Sequence, residues 1–158
     1  MNKLKLLGYS IIALQIATAA IAATSVYTNI TSFMGSLASG GQNGGAIRLE
    51  NSTDTATGAQ KLTIKVNMQN RGLLEILAIF RMRALTQANQ VIKEGMDAQR
   101  IPPGASRELA ATVALSKEEW EKFQTGTSNI STVQLSFEVR SFFDLIGFGA
   151  SVTAPALR

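Results

Sequence analysis

The residues "QRIPPGASRELAATVALSKEEW" (99–120) contain a proline–glycine corner followed by an alternating apolar run. Proline has no backbone N–H to give to a sheet ladder, so Pro102 and Pro103 cannot lie inside a central strand. Gly104 can turn the chain, because glycine accepts positive φ. In residues 109–115 every second residue is apolar, which is typical of a half-buried strand. The stretch therefore predicts a structural corner between two strands.

A short helix is predicted directly after this strand. Ser116 with Glu119 three residues later is a capping-box pattern, which marks a helix N-terminus. The helix should cover about Lys117–Phe123 and present Trp120 and Phe123 to the core.

The remaining strand signals have the same period of two. "KLTIKVNMQN" (61–70) alternates strictly, and the turn that follows has Gly72 available for positive φ. Further strands are expected in residues 73–85, 90–98, 131–143 and 145–154. Six or seven strands with one short helix predict a mainly β protein, an antiparallel β-sandwich. We place the sandwich at 60–154 and a Gly/Ser/Thr-rich linker, with one short strand near Ile47 and Leu49, at 39–59.

A long hydrophobic helix is predicted before the linker, in residues 1–38. No charged residue lies between Leu6 and Ile47, and "LLGYSIIALQIATAAIAATSV" (6–26) is almost wholly apolar or small. As a helix these residues reach about 31 Å, which matches a hydrocarbon core of about 30 Å. Lys3 and Lys5 precede the segment, so the positive-inside rule predicts a cytoplasmic N-terminus and an extracytoplasmic sandwich.

Three interpretations of this segment stay open. It is a retained signal anchor, a cleaved secretory signal with an Ala20-Ile21-Ala22 site, or the core helix of a surface filament. Small residues spaced four apart would let such helices approach closely. The candidate packing residues are Ala13, Ala17, Ala19 and Ala23. The expected partners are therefore the lipid bilayer or copies of the chain, and other membrane or surface proteins.

The order of these features resembles the late-embryogenesis-abundant type 2 family, also called the water-stress-hypersensitivity (WHy) domain. The supporting stretches are "KLTIKVNMQNRG", "VIKEG", "RIPPGASREL" and "STVQLSFEVR". The resemblance implies a small β-sandwich with one helix, often tethered by an N-terminal membrane helix and without enzymatic activity. The long charge-free helix before a β domain also resembles archaeal pilins, although "KLLGYS" has no charge directly before Gly8.

The composition excludes several kinds of chemistry. The chain has no Cys and no His, which removes thiolate nucleophiles, Cys- or His-ligated metals and the commonest general base. The sequence therefore predicts no enzyme, no cofactor and no metal. Beyond residue 47, 13 Lys+Arg (15 less Lys3 and Lys5) face 11 Asp+Glu without a basic stripe, so no nucleic-acid binding is expected. Three N-x-S/T sequons predict N-glycosylation at Asn29, Asn51 and Asn129, in keeping with a cell-surface location.

Overall fold

The structure, a computed structural model, describes residues 3–38, 47–141 and 144–155, and side chains within the first helix from Tyr9 to Thr31. Two helices and seven strands follow one another along the chain. Their bounds are α1 Lys3–Ala38, β1 Ile47–Thr53, β2 Gln60–Gln69, β3 Ile76–Leu85, β4 Val91–Ile101, β5 Ser106–Leu115, α2 Lys117–Gln124, β6 Thr132–Ser141 and β7 Ile146–Pro155.

The strands form two antiparallel sheets, as the alternating sequence predicts. One sheet has the order β1-β2-β5 and the other the order β4-β3-β6-β7. The alternating apolar residues of β2, β3, β5 and β6 face each other between the sheets and form the core. The mainly β sandwich behind a long N-terminal helix is thus confirmed. Strand β1 lies inside the segment predicted as a linker and pairs with β2 along its whole length, with every residue exposed.

The proline–glycine corner connects the two sheets. Pro102, Pro103 and Gly104 are exposed, and Gly104 has φ +76°. Strand β4 ends in one sheet at Ile101 and β5 begins in the other at Ser106. Pro102 and Pro103 thus lie between two strands, where neither must donate to a ladder.

Strands β4 and β5, which the corner connects, are edge strands of the two sheets and approach each other closely. A Cβ at Gly95 would lie 2.1 Å from the carbonyl oxygen of Thr112. Backbone cannot move aside as a flexible side chain can. The contact between the two sheets at this edge therefore requires glycine at position 95.

Replacing Gly95 by alanine is expected to lower the free energy of unfolding by about 3 kcal/mol, because β4 must move away from β5. Thermal and urea unfolding of the full chain in detergent would measure the change. Gly149→Ala is the matched control, since a Cβ there meets its nearest atom, the Phe137 carbonyl oxygen, at an ordinary 3.6 Å. Equal stability of the two variants would contradict the close approach.

Helix α2 has the predicted capping box. The Glu119 amide donates to Ser116 Oγ at 3.2 Å, and the Ser116 amide donates to Glu119 Oε2 at 2.7 Å. The rings of Trp120 and Phe123 stack with centroids 5.7 Å apart, and Trp120 packs against the core. The hydrogen bond from the Ser116 amide, followed by the nearby Lys93 ammonium, lowers the pKa of Glu119 below its ordinary 4.5.

This lowered pKa predicts a pH dependence of stability. A carboxyl with a lowered folded-state pKa stabilises the fold above its unfolded pKa, and the stabilisation is lost as the pH falls through the folded-state value. We expect the melting temperature to fall as the pH is lowered from about 5, and to fall less in Glu119→Gln. Differential scanning calorimetry between pH 3 and 6 would measure both slopes. If the melting temperature changes equally with pH in both proteins, Glu119 does not contribute to the pH dependence of stability.

Candidate functional site

Helix α1 docks on the sandwich with one face of its second half. Ala22, Ser25, Val26 and Asn29 are buried at the spacing that places residues on one helical face. The helix contacts β6 and β7, and Ile30 packs against the core. The helix is therefore an integral part of the folded unit between Ala22 and Ile30.

A buried asparagine on α1 makes the polar contact with the sandwich. The Asn29 Nδ2 donates to the Ser25 carbonyl oxygen at 2.8 Å and to Asn70 Oδ1 at 3.1 Å. The backbone amide of Arg71 donates to Asn29 Oδ1 at 2.8 Å. A buried amide with its donor and acceptor both used fixes the helix in one register and orientation.

Asn70 is the centre of this junction. Its Nδ2 donates to the carbonyl oxygens of Leu74 at 2.9 Å and Ile101 at 2.8 Å, and its Oδ1 also accepts from the Gly72 amide at 2.9 Å. Its backbone pairs with the corner, since the Gly104 amide donates to the Asn70 carbonyl oxygen. The fully buried Asn70 thus joins helix α1, the β2–β3 loop and the proline–glycine corner.

Gly72 lets the helix come close to the loop. A Cβ at Gly72 would lie 1.7 Å from Ser25 Oγ and 2.9 Å from Ser25 Cβ. The sequence prediction that Gly72 supplies positive φ was wrong. In the described part of the chain, the positive-φ glycines are Gly58, Gly104 and Gly126. Glycine is needed at position 72 because the helix occupies the place of a side chain.

Ion pairs tie together the loops at this end of the sandwich. The Arg100 guanidinium lies 2.8 Å from Asp144 Oδ2 and 3.4 Å from Glu75 Oε1. The hydrogen bond to Asp144 and its charge raise the pKa of Arg100, and Glu75 adds to the effect. Arg100 therefore links the β2–β3 loop to the β6–β7 turn.

The first half of α1 leaves the sandwich and is exposed. From Tyr9 to Ile21 every residue is exposed except the half-buried Thr18. The large apolar side chains among them are Tyr9, Ile11, Ile12, Leu14, Ile16 and Ile21. At about 100° per residue these side chains point to all sides of the helix. Such a helix is normally covered by lipid or by other helices.

The threonines of α1 are suited to apolar surroundings. Thr18, Thr24, Thr28 and Thr31 each donate their hydroxyl to the carbonyl four residues earlier, at 2.8–3.0 Å. Their hydroxyls therefore need no water.

Within the described residues, Tyr9–Thr31, with a mean hydropathy of 1.6, is the one helix long and apolar enough to cross a membrane. A signal sequence near the N-terminus passes the same test of length and composition.

The predicted site residues fall into different surroundings. Ala13, Ala17, Ala19 and Ala23 are exposed, and their role in packing against other helices stays a prediction. Asn51 and Asn129 are also exposed, and their glycosylation stays a prediction. The prediction for Asn29 needs correction, because this side chain is 1% exposed and its Nδ2 is engaged in two hydrogen bonds. Its role at the junction has no local sequence signal.

The chemistry available elsewhere in the described residues is limited. A shallow cleft of about 410 Å³ lies at the opposite end of the sandwich, beside Thr86, Phe123 and Asn129. All the side chains that line it are uncharged. No group of three acidic side chains in the described ranges lies close enough to share a metal ion. The helix and its junction are therefore the best-defined candidate site.

No family model and no curated protein matches the chain. Solved structures similar to it include a glycoside hydrolase family 2 β-glucuronidase (TM-score 0.42, 7% identity, 70% of this chain and 11% of that one). A putative β-galactosidase from Bacteroides fragilis has TM-score 0.42 and 16% identity, with 70% and 15% covered. A protein from Archaeoglobus fulgidus has TM-score 0.39 and 9% identity, with 69% and 92% covered. The chain thus spans 11–15% of these hydrolases, and the similarities are too distant to indicate function.

Proposed function

We propose that this chain is a non-catalytic membrane protein. Helix α1 anchors it in a bilayer, and the sandwich is an extracytoplasmic structural or accessory binding module. The exposed apolar surface around Tyr9–Ile21 carries this proposal. Burying apolar surface contributes about 25 cal/mol per Å², so leaving this helix in water would be strongly unfavourable. In a bilayer, lipid would cover the apolar side chains on every side of this part of the helix.

The distribution of charge supports the orientation. Lys3 and Lys5 lie before the apolar segment, and no further charge occurs until Arg48. Positive charge is retained on the cytoplasmic side, so the sandwich would lie on the other side of the bilayer. The exposed sequons at Asn51 and Asn129 are compatible with that side.

A filament subunit is the second candidate, and one observation favours it. The sandwich begins to cover the helix at Ala22. The free part of the docked helix, where its side chains are described, is therefore Tyr9–Ile21. Together with the uncharged residues 6–8 before it, this helix reaches about 24 Å, against a hydrocarbon core of about 30 Å. A filament core built from packed helices has no such length requirement.

Membrane extraction tests the anchor. We expect the full chain to stay in the membrane pellet after an alkaline carbonate wash, and the double variant Leu14→Arg, Ile16→Arg to move to the supernatant. Arginine near the centre of a membrane helix costs about 2.5–3.5 kcal/mol on insertion scales. Leu49→Arg is the matched control, because Leu49 and Leu14 are 67% and 68% exposed but Leu49 lies on β1. Release of the unmodified chain would contradict the proposal.

A further inference from the structure

The most exposed large apolar side chains of the described residues are two leucines on loop tips. Leu73 in the β2–β3 loop is 78% exposed, and Leu145 in the β6–β7 turn is 75% exposed. Both loops lie at the same end of the sandwich, because Ile76, Ser141 and Ile146 pair across β3, β6 and β7. The exposed prolines of the corner lie at this end as well. We call this end the base.

The base is also the end from which the apolar helix emerges. Leu73 borders a groove with Ala20 and Ile21, the last residues of the free part of α1. The hydrogen bonds of Asn29 hold the β2–β3 loop on the helix, and Arg100 links that loop to the turn that carries Leu145. The apolar surface of the helix therefore continues onto Leu73, and the ion pairs of Arg100 connect this loop to the turn that carries Leu145.

The length of the free helix sets the distance between base and bilayer. With α1 docked, Leu6–Ile21 reaches about 24 Å and the hydrocarbon core measures about 30 Å. A gap between base and membrane would draw the apolar helix still further out of the lipid. The mismatch of about 6 Å is smallest when the base lies directly against the bilayer, in the headgroup region, and local thinning of the bilayer can accommodate it.

We infer that the base rests in the headgroup region of the bilayer that holds α1, with Leu73 and Leu145 inserted at the boundary with the acyl chains. The exposed Arg71 beside Leu73 can bind a lipid phosphate, since a guanidinium matches phosphate geometry. This inference rests on the proposed membrane anchor and adds a second lipid-binding surface to it. The sandwich would then have a fixed orientation on the membrane.

Single cysteines can test this directly, because the chain has none of its own. The full-length variants Leu73→Cys and Leu145→Cys would carry an environment-sensitive nitrobenzoxadiazole label in phosphatidylcholine–phosphatidylglycerol vesicles with nitroxide-labelled lipid. Val91→Cys is the matched control, since Val91 is exposed at the opposite end of the sandwich. Ile12→Cys reports on the helix. We expect blue-shifted, nitroxide-quenched emission at positions 12, 73 and 145, and water-like, unquenched emission at 91.

The outcomes separate the two proposals. One outcome is that the label at Ile12 is quenched while the labels at Leu73 and Leu145 give the same emission as the label at Val91. In that case the placement of the base in the headgroup region is wrong, and the membrane anchor stands. If the label at Ile12 is also unquenched, the proposed membrane anchor is wrong, and so is the placement of the base in the headgroup region. Leu73→Asp with Leu145→Asp gives an independent measurement. In this variant the label at Ile12 should be quenched more by lipid with a nitroxide near the headgroup, and less by lipid with a nitroxide near the end of the acyl chain, than in the parent. An unchanged ratio of the two would contradict the inference.

Discussion

Asn70→Ala is expected to lower the free energy of unfolding by about 3–5 kcal/mol. The side chain is fully buried and hydrogen-bonds the helix, its own loop and the end of β4. Alanine would leave the carbonyl oxygens of Leu74 and Ile101 and the amide of Gly72 without these partners. Each buried group left unpaired costs about 1–3 kcal/mol, because it has lost water as well.

Chemical unfolding of the full chain in detergent would measure this effect. Asn67→Ala is the matched control, because Asn67 is an exposed asparagine on the same stretch of β2. We expect the control to change stability by less than about 0.5 kcal/mol. A loss of less than about 1 kcal/mol in Asn70→Ala would contradict the central position given to this residue.

Gly72→Val is expected to separate helix α1 from the sandwich and to cost about 3 kcal/mol or more. The added side chain would occupy the place of Ser25, whose Oγ and Cβ lie within 3 Å of the first added atom. Spin labels at Tyr27→Cys and Val91→Cys, both exposed positions, would report the helix–sandwich distance. The distance distribution should be narrow in the parent and broad in Gly72→Val.

A second substitution on the helix tests the cause. Gly72→Ala with Ser25→Gly removes the clashing side chain and should restore a narrow distribution, whereas Gly72→Ala alone should not. Ser25→Gly alone is the control for the cost of glycine in a helix, about 1 kcal/mol. A narrow distribution in Gly72→Val would show that the helix does not depend on this close approach.

The strands could be predicted from the sequence because their signals are local. Alternation in residues 61–70 and 109–115 places the core residues, and Pro102-Pro103 can only lie where no ladder bond is required. The capping box at Ser116 and Glu119 is likewise a signal within four residues. These features depend on neighbours along the chain, and the structure agrees with each of them.

The junction could not be predicted, because it depends on contacts between distant parts of the chain. Asn29 and Asn70 are 41 positions apart, and neither stands in a pattern that indicates a partner. Asn29 instead matches a sequon, and Gly72 matches a turn signal. The docking of α1 gives both residues a different role, since it buries the amide and fills the space beside the glycine.

The proline–glycine corner combines the two kinds of feature. Its shape follows from Pro102, Pro103 and Gly104 alone. Its contribution to the site follows from the hydrogen bonds between Asn70 and the backbone of Gly104 and Ala105. The corner thus supports the loop on which the helix docks, and it also lies at the base that we place on the membrane.

The location of the chain in its native cells tests the membrane anchor most directly. Surface material sheared from the cells would be examined by negative-stain microscopy, and mass spectrometry would identify the chain in the sheared and membrane fractions. We predict that the chain stays with the detergent-soluble membrane fraction and that its apolar helix remains attached. Regular filaments that contain the chain would contradict this account, and would mean that copies of the helix, instead of lipid, cover Tyr9–Ile21.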